Sequence, residues 1–457
     1  MILDDLAAIV GPGNVVGRDL LADRPVDVWT AEPTRAMALV RPGSVAELSA
    51  VLACCHAAGQ KVVPEGGRTN LVRGTAAGSD EILLSLERMR RIDPPEPASR
   101  TITVEAGAIL QNVQEAAHTV DLRLGLDFGA RASATIGGAL ATNAGGTQVM
   151  RYGMAREQVL GMEVVLADGT VLSHLNPYIK DNTGYDLKQL FVGSEGTLGV
   201  IARAVLRLHP RPSTVETAFI AFENFEAVVH LLSELDRKLA GTLSSYEVLW
   251  REFYELNSGP RSKMRPPVRH GCPYYVLCEA EGFEPGRDTE RFEEAIGEAL
   301  AAGHIVDAAI ARSSRDRESF WRIREDFELE LQDFPVMVDF DVSLAVRDME
   351  SFGDTLAREL AGQFPESTGL HIFGHMGDGN LHIGIGLPDS TRKAAVQELV
   401  YSLVRAAKGS ISAEHGIGLV KRGFLPCSRS PAELELMRKL KRTLDPKGIL
   451  NPGKILG

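Results

Sequence analysis

The sequence is short of several things, and each shortage removes a class of function. Its five cysteines, Cys54, Cys55, Cys272, Cys278 and Cys427, form an odd set with no Cys-x-x-Cys spacing. That argues against a disulfide framework, a zinc ribbon or an iron–sulfur cluster. Positive charge is in deficit: 49 Lys and Arg against 61 Asp and Glu leave a formal net charge of −12, whereas a nucleic-acid binder carries a basic face. No apolar run approaches the ~20 residues that cross a bilayer, so no transmembrane segment is expected. The opening Met1-Ile2-Leu3-Asp4-Asp5-Leu6 is acidic and lacks the basic start of a secretory leader, so a cytoplasmic protein is expected. No Gly-x-Gly-x-x-Gly joins a strand to a helix, and no Walker A pattern occurs. Rossmann-type dinucleotide binding is therefore not expected. There is no internal repeat.

Glycine is plentiful, 45 of 457 residues, and it is concentrated where chemistry is expected. Ser44 and Glu47 mark a capped helix over 44–58, ended by Gly59. Lys61-Val62-Val63-Pro64 reads as a buried strand running into Glu65-Gly66-Gly67-Arg68-Thr69-Asn70, where adjacent glycines let backbone N–H groups converge on a phosphate. A strand follows from Thr101. The segment from Gly125 to Gly146 is full of small residues and offers a backbone surface for a large flat ligand. Residues 159–172 read as a hairpin about Ala167-Asp168-Gly169. Gly193-Ser194-Glu195-Gly196-Thr197-Leu198-Gly199 is a further glycine-punctuated turn. From about 215, strands near 215–222, 273–280 and 304–311 alternate with helices near 224–238, 287–302 and 315–332. This alternation predicts an α+β unit with helices on one face of an antiparallel sheet.

Four of the eleven histidines fall in two short stretches, His371 to His382 and Ser412 to Gly418. His375 and His382 flank a tight Gly-Asp-Gly-Asn turn, so a hairpin lets both rings converge. Glu414, expected on a separate strand, supplies a carboxylate. Two imidazoles and a carboxylate bind Zn²⁺, Mn²⁺ or Fe²⁺ and leave positions open for a substrate. His371 reads as structural, and Asp378 and Asn380 as turn-shaping.

Four motifs together resemble the FAD-linked D-2-hydroxy-acid dehydrogenases of the vanillyl-alcohol-oxidase superfamily. This group contains D-lactate dehydrogenases of the cytochrome type, the FAD subunit of glycolate oxidase and D-2-hydroxyglutarate dehydrogenases. The motifs are Pro64 to Leu71, Ile136-Gly137-Gly138 through Gly146, Gly193 to Gly199, and the histidine–glutamate cluster. The resemblance implies an α+β chain: a two-subdomain FAD domain over 1–212, a substrate (cap) domain with an antiparallel sheet over 213–412, and a segment 413–457 returning to the FAD domain. It implies that Pro64, Glu65, Gly66, Gly67, Arg68, Thr69, Asn70 and Gly74 wrap the FAD pyrophosphate. Ala132, Ser133, Ile136, Gly138, Thr142, Asn143 and Gly145 line the rest of the cofactor, with Ile201 and Asn451 also in contact. No histidine lies between His56 and His118, so non-covalent FAD is expected. His375, His382 and Glu414 would hold the metal, zinc by chemistry with Mn or Fe as alternatives. His415 would be the general base, with hydride passing from C2 to flavin N5. Trp321-Arg322-Ile323-Arg324-Glu325 is similar to the family's Trp-x-x-Arg-Glu helix and makes Arg324 the carboxylate clamp. The implied partners are a small 2-hydroxy acid and an electron acceptor such as a quinone, a cytochrome or an electron-transfer flavoprotein. A homodimer is compatible with this reading.

The sequence also departs from these relatives. Glu328 and Asp339 stand where D-2-hydroxyglutarate dehydrogenases carry a threonine and a lysine for a second carboxylate. Gly384 replaces an asparagine. The expectation is that a dicarboxylate is not the best substrate. A D-lactate- or glycolate-type dehydrogenase, or a non-catalytic flavin relay subunit, are the alternatives. The intact histidine–glutamate set counts against the relay.

Overall fold

The computed structural model describes residues 2–30 and 32–456. The chain divides into two units. One comprises residues 1–146, 152–211 and 414–457; the other comprises 147–151 and 212–413.

The first unit is built on two sheets. Helix α1 (Ile2–Val10) precedes β1 (Val15–Gly17) and β2 (Ala38–Val40); α2 (Val45–Ala58) leads to β3 (Lys61–Glu65) and β4 (Glu81–Ser85). The order is β1-β2-β4-β3, with β2, β4 and β3 parallel. Ser44 caps α2 through the Glu47 N–H, and Gly59 ends it in the left-handed region. Glu47 reaches back to the Gly43 N–H rather than to Ser44, so the expected capping box is closed one residue early. The second sheet holds β5 (Thr101–Glu105), β6 (Leu122–Leu124), β7 (Val159–Val165), β8 (Val171–His174) and β9 (Val200–Pro210). Helix α3 (Leu110–His118) lies between β5 and β6. All its pairings are antiparallel. The hairpin about Gly169 forms as expected, with Val165 opposite Val171. Short helices α4 (Ile136–Thr142), α6 (Ala155–Gln158) and α7 (Lys188–Phe191) punctuate the glycine-rich stretches, while α5 (Val149–Tyr152) falls mostly in the 147–151 segment of the other unit. One apolar core draws on both sheets, including Leu48 and Leu52 of α2, Val62, Ile82, Val104, Val164, and Ile136 and Leu140 of α4. The small-residue segment thus contributes side chains to the core as well as a backbone surface.

The second unit is a seven-stranded antiparallel sheet. Its strands are β10 (Thr214–Phe222), β11 (Leu243–Trp250), β12 (Tyr274–Gly282), β13 (Asp307–Ile310), β14 (Val336–Ser343), β15 (Gly369–His375) and β16 (Asn380–Leu387), in the order β13-β10-β12-β11-β15-β16-β14. The helices are α8 (Phe225–Lys238), α9 (Arg251–Ser258), α10 (Arg287–Ala301), α11 (Ser314–Glu325), α12 (Glu328–Asp333), α13 (Met349–Gln363) and α14 (Lys393–Ala406). Residues paired across an antiparallel ladder share a face, and neighbours along a strand alternate. One face therefore carries Tyr246 and Phe340. Helix α8 lies there, where the Tyr246 hydroxyl donates to Val228 O, and so does α14, where Tyr401 meets Phe340 edge to face. The other face carries Phe219, Leu277, Leu249 and Phe373, packed with Phe253 and Tyr254 of α9 and Phe320 and Ile323 of α11. Helices cover parts of both faces, where the strand–helix alternation had predicted one. The expected helix 315–332 is broken in two at Asp326–Phe327. The chain then returns to the first unit with α15 (Pro431–Leu444), which opens on a Ser430–Glu433 capping box.

Candidate active site

In the second unit the register sets the site. Glu247 pairs with His375, Phe373 with His382, Asp341 with His382, and Gly384 with both His371 and Asp339. All of these side chains stand on the face that also carries Phe373. Beyond the helix-covered apolar half, this face is polar.

His375 ends β15 and His382 lies in β16, with the Gly-Asp-Gly-Asn turn between them. Their rings meet edge to face with centroids 5.2 Å apart. This is the expected convergence on a hairpin. Nδ1 of His375 lies 2.7 Å from Oε1 of Glu247, and Oε2 of the same carboxylate accepts from Nε of Arg324 at 2.8 Å. Burial alone raises the pKa of Glu247, but the neighbouring His375 and Arg324 charges and hydrogen bonds pull it below the ordinary carboxylate value. A carboxylate on Nδ1 fixes the ring and leaves Nε2 as the nitrogen through which a metal is bound, the usual carboxylate–histidine–metal pattern. The donor set therefore fits a divalent transition ion. Arg324 is buried, with its guanidinium over the Phe373 ring at 4.6 Å. Its bond to Glu247 uses Nε and not the terminal fork.

His371 is held at Nδ1 by Glu330, 2.9 Å away, and stacks on Phe334. Its structural reading stands on this contact. Gly384 has to be small here: a Cβ at that position would overlap the Glu330 carboxylate. Asp339, opposite Gly384, is exposed, whereas Glu328 is engaged with Lys263 at 2.9 Å. Asp341 is fully buried and accepts from Nδ2 of Asn380 at 3.0 Å, from the Ser412 hydroxyl at 3.3 Å and from the Ala413 N–H at 3.2 Å. Asn380 thus braces the turn, as its position implied. Sequence reasoning missed Glu247, Glu330 and Asp341. For Glu247 and Asp341 the available signal was an acid inside a strand otherwise destined for burial, whereas Glu330 is the one buried residue of α12 and had no such local signal.

In the first unit the glycine motifs are built against one another. A Cβ at Gly67 would overlap the Ser133 carbonyl, one at Gly66 would lie 2.5 Å from Thr135 Oγ1, and one at Gly137 would lie 2.6 Å from Ala106 Cβ. Strand β3 and the start of α4 therefore approach backbone to backbone. The α4 N-terminus is capped by Thr135 through the Gly138 N–H at 3.2 Å. Arg68 is in the left-handed region at φ 57°. Asn70 accepts the Gly74 N–H at 2.7 Å and donates to Thr75 at 3.1 Å. Ala132 and Ser133 are exposed, Thr69 is half-buried, and Ile201 and Gly145 are buried. The Thr142 hydroxyl back-bonds to Gly138 O. Asn143 accepts the Arg156 N–H at 3.0 Å. Pro64 lies under Gly196, where a Cβ would sit 3.1 Å from its Cγ. The Glu65 side chain is buried and ion-paired with Arg24, so this residue meets a cofactor through its main chain at most.

Segment 412–418 forms no strand, against expectation. Glu414 accepts the Gly146 N–H at 2.7 Å. The turn after His415 is fixed by Glu195 of the Gly193–Gly199 motif, a role the sequence did not disclose: it accepts the Ile417 N–H at 2.7 Å and the Gly418 N–H at 2.9 Å. Asn451 Nδ2 donates to Glu195 O at 2.6 Å, while its buried Oδ1 has no partner among the described residues. An orphaned buried acceptor beside glycine-lined backbone is what a bound hydrogen-bonding cofactor satisfies. The residues here fit FAD.

Comparison with known proteins bears on both units. Residues 211–455 match the family described as FAD linked oxidases, C-terminal domain, and residues 36–174 match an FAD binding domain. The mitochondrial D-2-hydroxyglutarate dehydrogenase of Bos taurus is 38% identical over 99% of this chain and 83% of its own length. The D-2-hydroxyglutarate dehydrogenase of Stutzerimonas stutzeri (strain A1501) is 34% identical, covering 99% and 98%. Among solved structures, 4-ethylphenol oxidase from Gulosibacter chungangensis superposes with a TM-score of 0.72 at 18% identity, covering 100% of this chain and 96% of that one.

Proposed function

The chain belongs to the FAD-linked oxidases as an FAD-dependent D-2-hydroxy-acid dehydrogenase, and from that footing we propose that it is metal-assisted and turns a D-2-hydroxy acid into the 2-keto acid on the His375–His382 face of the second unit. When bound, FAD would take the hydride at N5, and a divalent cation would lend Lewis acidity to the 2-hydroxyl. His375 and His382 are the proposed ligands, joined by Glu414 as the sequence resemblance implies. The paired rings, one locked at Nδ1 by Glu247, are the observation that carries this reading.

The chain's own groups then divide the work. Arg324, with Nε already engaged by Glu247, keeps its terminal nitrogens for the substrate carboxylate, a bidentate geometry. His415 takes the hydroxyl proton as the general base that the sequence resemblance implies. Glu195 positions the turn that follows it. Gly384, the Glu330–His371 couple and Asp339 border the tail of the substrate. This border carries two acids, so it favours a neutral, hydroxylated or amino-bearing tail over a second carboxylate. The electrons leave to a quinone, a cytochrome or an electron-transfer flavoprotein.

The test is anaerobic mixing of the flavoprotein with D- and L-2-hydroxy acids, with and without a chelator. Bleaching by a D-acid, lost on chelation and restored by Zn²⁺ or Mn²⁺, is expected. A flavin that bleaches equally after complete metal removal defeats the metal reading. A flavin that no hydroxy acid reduces defeats the proposed reaction.

A further inference from the structure

On the opposite face of the second unit's sheet, α8 and the end of α10 bring three metal-ligating side chains together. Asn224 caps α8 by accepting the Ala227 N–H. Its buried stripe, Phe225, Val228, Leu231 and Leu235, fixes the helix rotation. His230 and Glu234, four apart, then share one outer edge. Helix α10 ends in a Schellman turn: Gly303, at φ +74°, donates to Leu300 O at 3.1 Å, and His304 donates to Ala299 O at 3.0 Å. That turn holds His304 in a set place rather than on a loose loop.

Nδ1 of His230 lies 3.5 Å and Nδ1 of His304 3.7 Å from Oε2 of Glu234. The two rings meet edge to face at 4.6 Å. All three donor atoms fall within 4.8 Å of one another. These separations are long for hydrogen bonds. They are close to the ~3.3–3.5 Å between ligands on a tetrahedral zinc ion with bonds near 2.0–2.2 Å. Lys238 approaches the other carboxylate oxygen, Oε1, at 3.4 Å and is bonded to Glu298 at 2.9 Å. Oε2 is left to the imidazoles.

We propose that His230, Glu234 and His304 form a second divalent-metal site of the zinc class, clipping α8 to the end of α10. Nδ1, Oε2 and Nδ1 supply three ligands, and water completes the tetrahedron. Imidazole donors suit Zn²⁺, Ni²⁺ or Cu²⁺ over Mg²⁺ or Ca²⁺. The site is independent of the proposed catalytic metal, since His375 and His382 stand on the other face of the sheet.

The experiment is a Zn²⁺ calorimetric titration of chelator-stripped, flavin-loaded protein beside the His230→Ala/His304→Ala double variant. Both histidines are exposed, so the fold should survive, which melting without metal checks. The variant should take up one equivalent less than the parent, lose the Zn²⁺-dependent rise in Tm, and keep its turnover with a D-2-hydroxy acid. Cobalt substitution should give a tetrahedral absorption band that the variant lacks. A parent binding one equivalent that the variant does not bind upholds this site and counts against the catalytic metal. Equal uptake by parent and variant overturns it.

Discussion

Oε1 of Glu247 lies 2.7 Å from Nδ1 of His375, and both groups are buried in the sheet. The same carboxylate holds Arg324, so one side chain orients a proposed metal ligand and the proposed carboxylate clamp. Glu247→Gln keeps the shape and removes the charge. Metal affinity or turnover should fall by about 10–100-fold, the usual cost of losing a ligand-orienting partner. Arg324 is also left buried without its counter-ion, so stability should fall by up to about 3–5 kcal/mol. Metal content by emission spectrometry and the rate of flavin reduction check the first; denaturant melting checks the second. Full metal content with an unchanged rate would assign Glu247 to packing alone.

Gly67 lies against the Ser133 carbonyl with no room for a methyl. Both partners are backbone, so neither can turn aside. Gly67→Ala should force β3 away from the start of α4, at about 1–3 kcal/mol, spread between stability and cofactor binding. FAD affinity should fall by roughly tenfold or more, since each 1.4 kcal/mol is a factor of ten. The measurement is the flavin-to-protein ratio after gel filtration. A ratio equal to the parent's would mean that this loop does not hold the cofactor.

Glu195 is buried, and its pKa is raised, first by burial; the N–H groups of Ile417 and Gly418 only partly offset this. For an acid whose folded pKa lies above the unfolded value, the contribution to stability is fully present below the unfolded pKa. It is lost as pH rises through the folded pKa. The Tm of the parent minus that of Glu195→Gln should therefore increase on going from neutral pH toward pH ~4.5, the ordinary carboxylate value. A difference flat across that window would show that the carboxylate keeps the same affinity for its proton folded and unfolded.

Much of this was legible in advance because the signals were local. Gly59 ending α2, the Asp-Gly turn of the β7–β8 hairpin and the His375–His382 spacing each depend on residues within a few positions. What escaped was long-range. Glu247 and His375 are 128 residues apart, and Glu195 and Asn451 are 256 apart. Strand β11 is buried on both faces although it carries Ser244, Ser245 and Glu247, so its polar residues hid it from an apolar reading. Glu330, not Glu328, is the buried acid of α12. Only the pairing with His371 on a distant strand tells them apart.

Asp339 pairs across the ladder with Gly384, two residues beyond His382 on the same face. Two residues along a strand span roughly 7 Å, about the reach from the 2-hydroxyl of a hydroxy acid to the end of a five-carbon chain. Two cations on the flank of α12 are already engaged, Arg261 with Asp333 and Lys263 with Glu328. A distal carboxylate would thus meet Asp339 and the Glu330–His371 couple with no cation offered by those pairs. Asp339→Lys reverses the exposed charge without touching the proposed metal ligands. The ratio of kcat/KM for D-2-hydroxyglutarate to that for an uncharged-tail D-2-hydroxy acid should rise by about two- to fivefold, the range that exposed charge pairs give. The change should reside mainly in KM and shrink in high salt, as screening requires. A variant with the parent's ratio at low salt would remove Asp339 from the border of the substrate tail. A parent that already prefers the dicarboxylate would reverse the substrate class proposed for this face, while leaving the dehydrogenase chemistry in place.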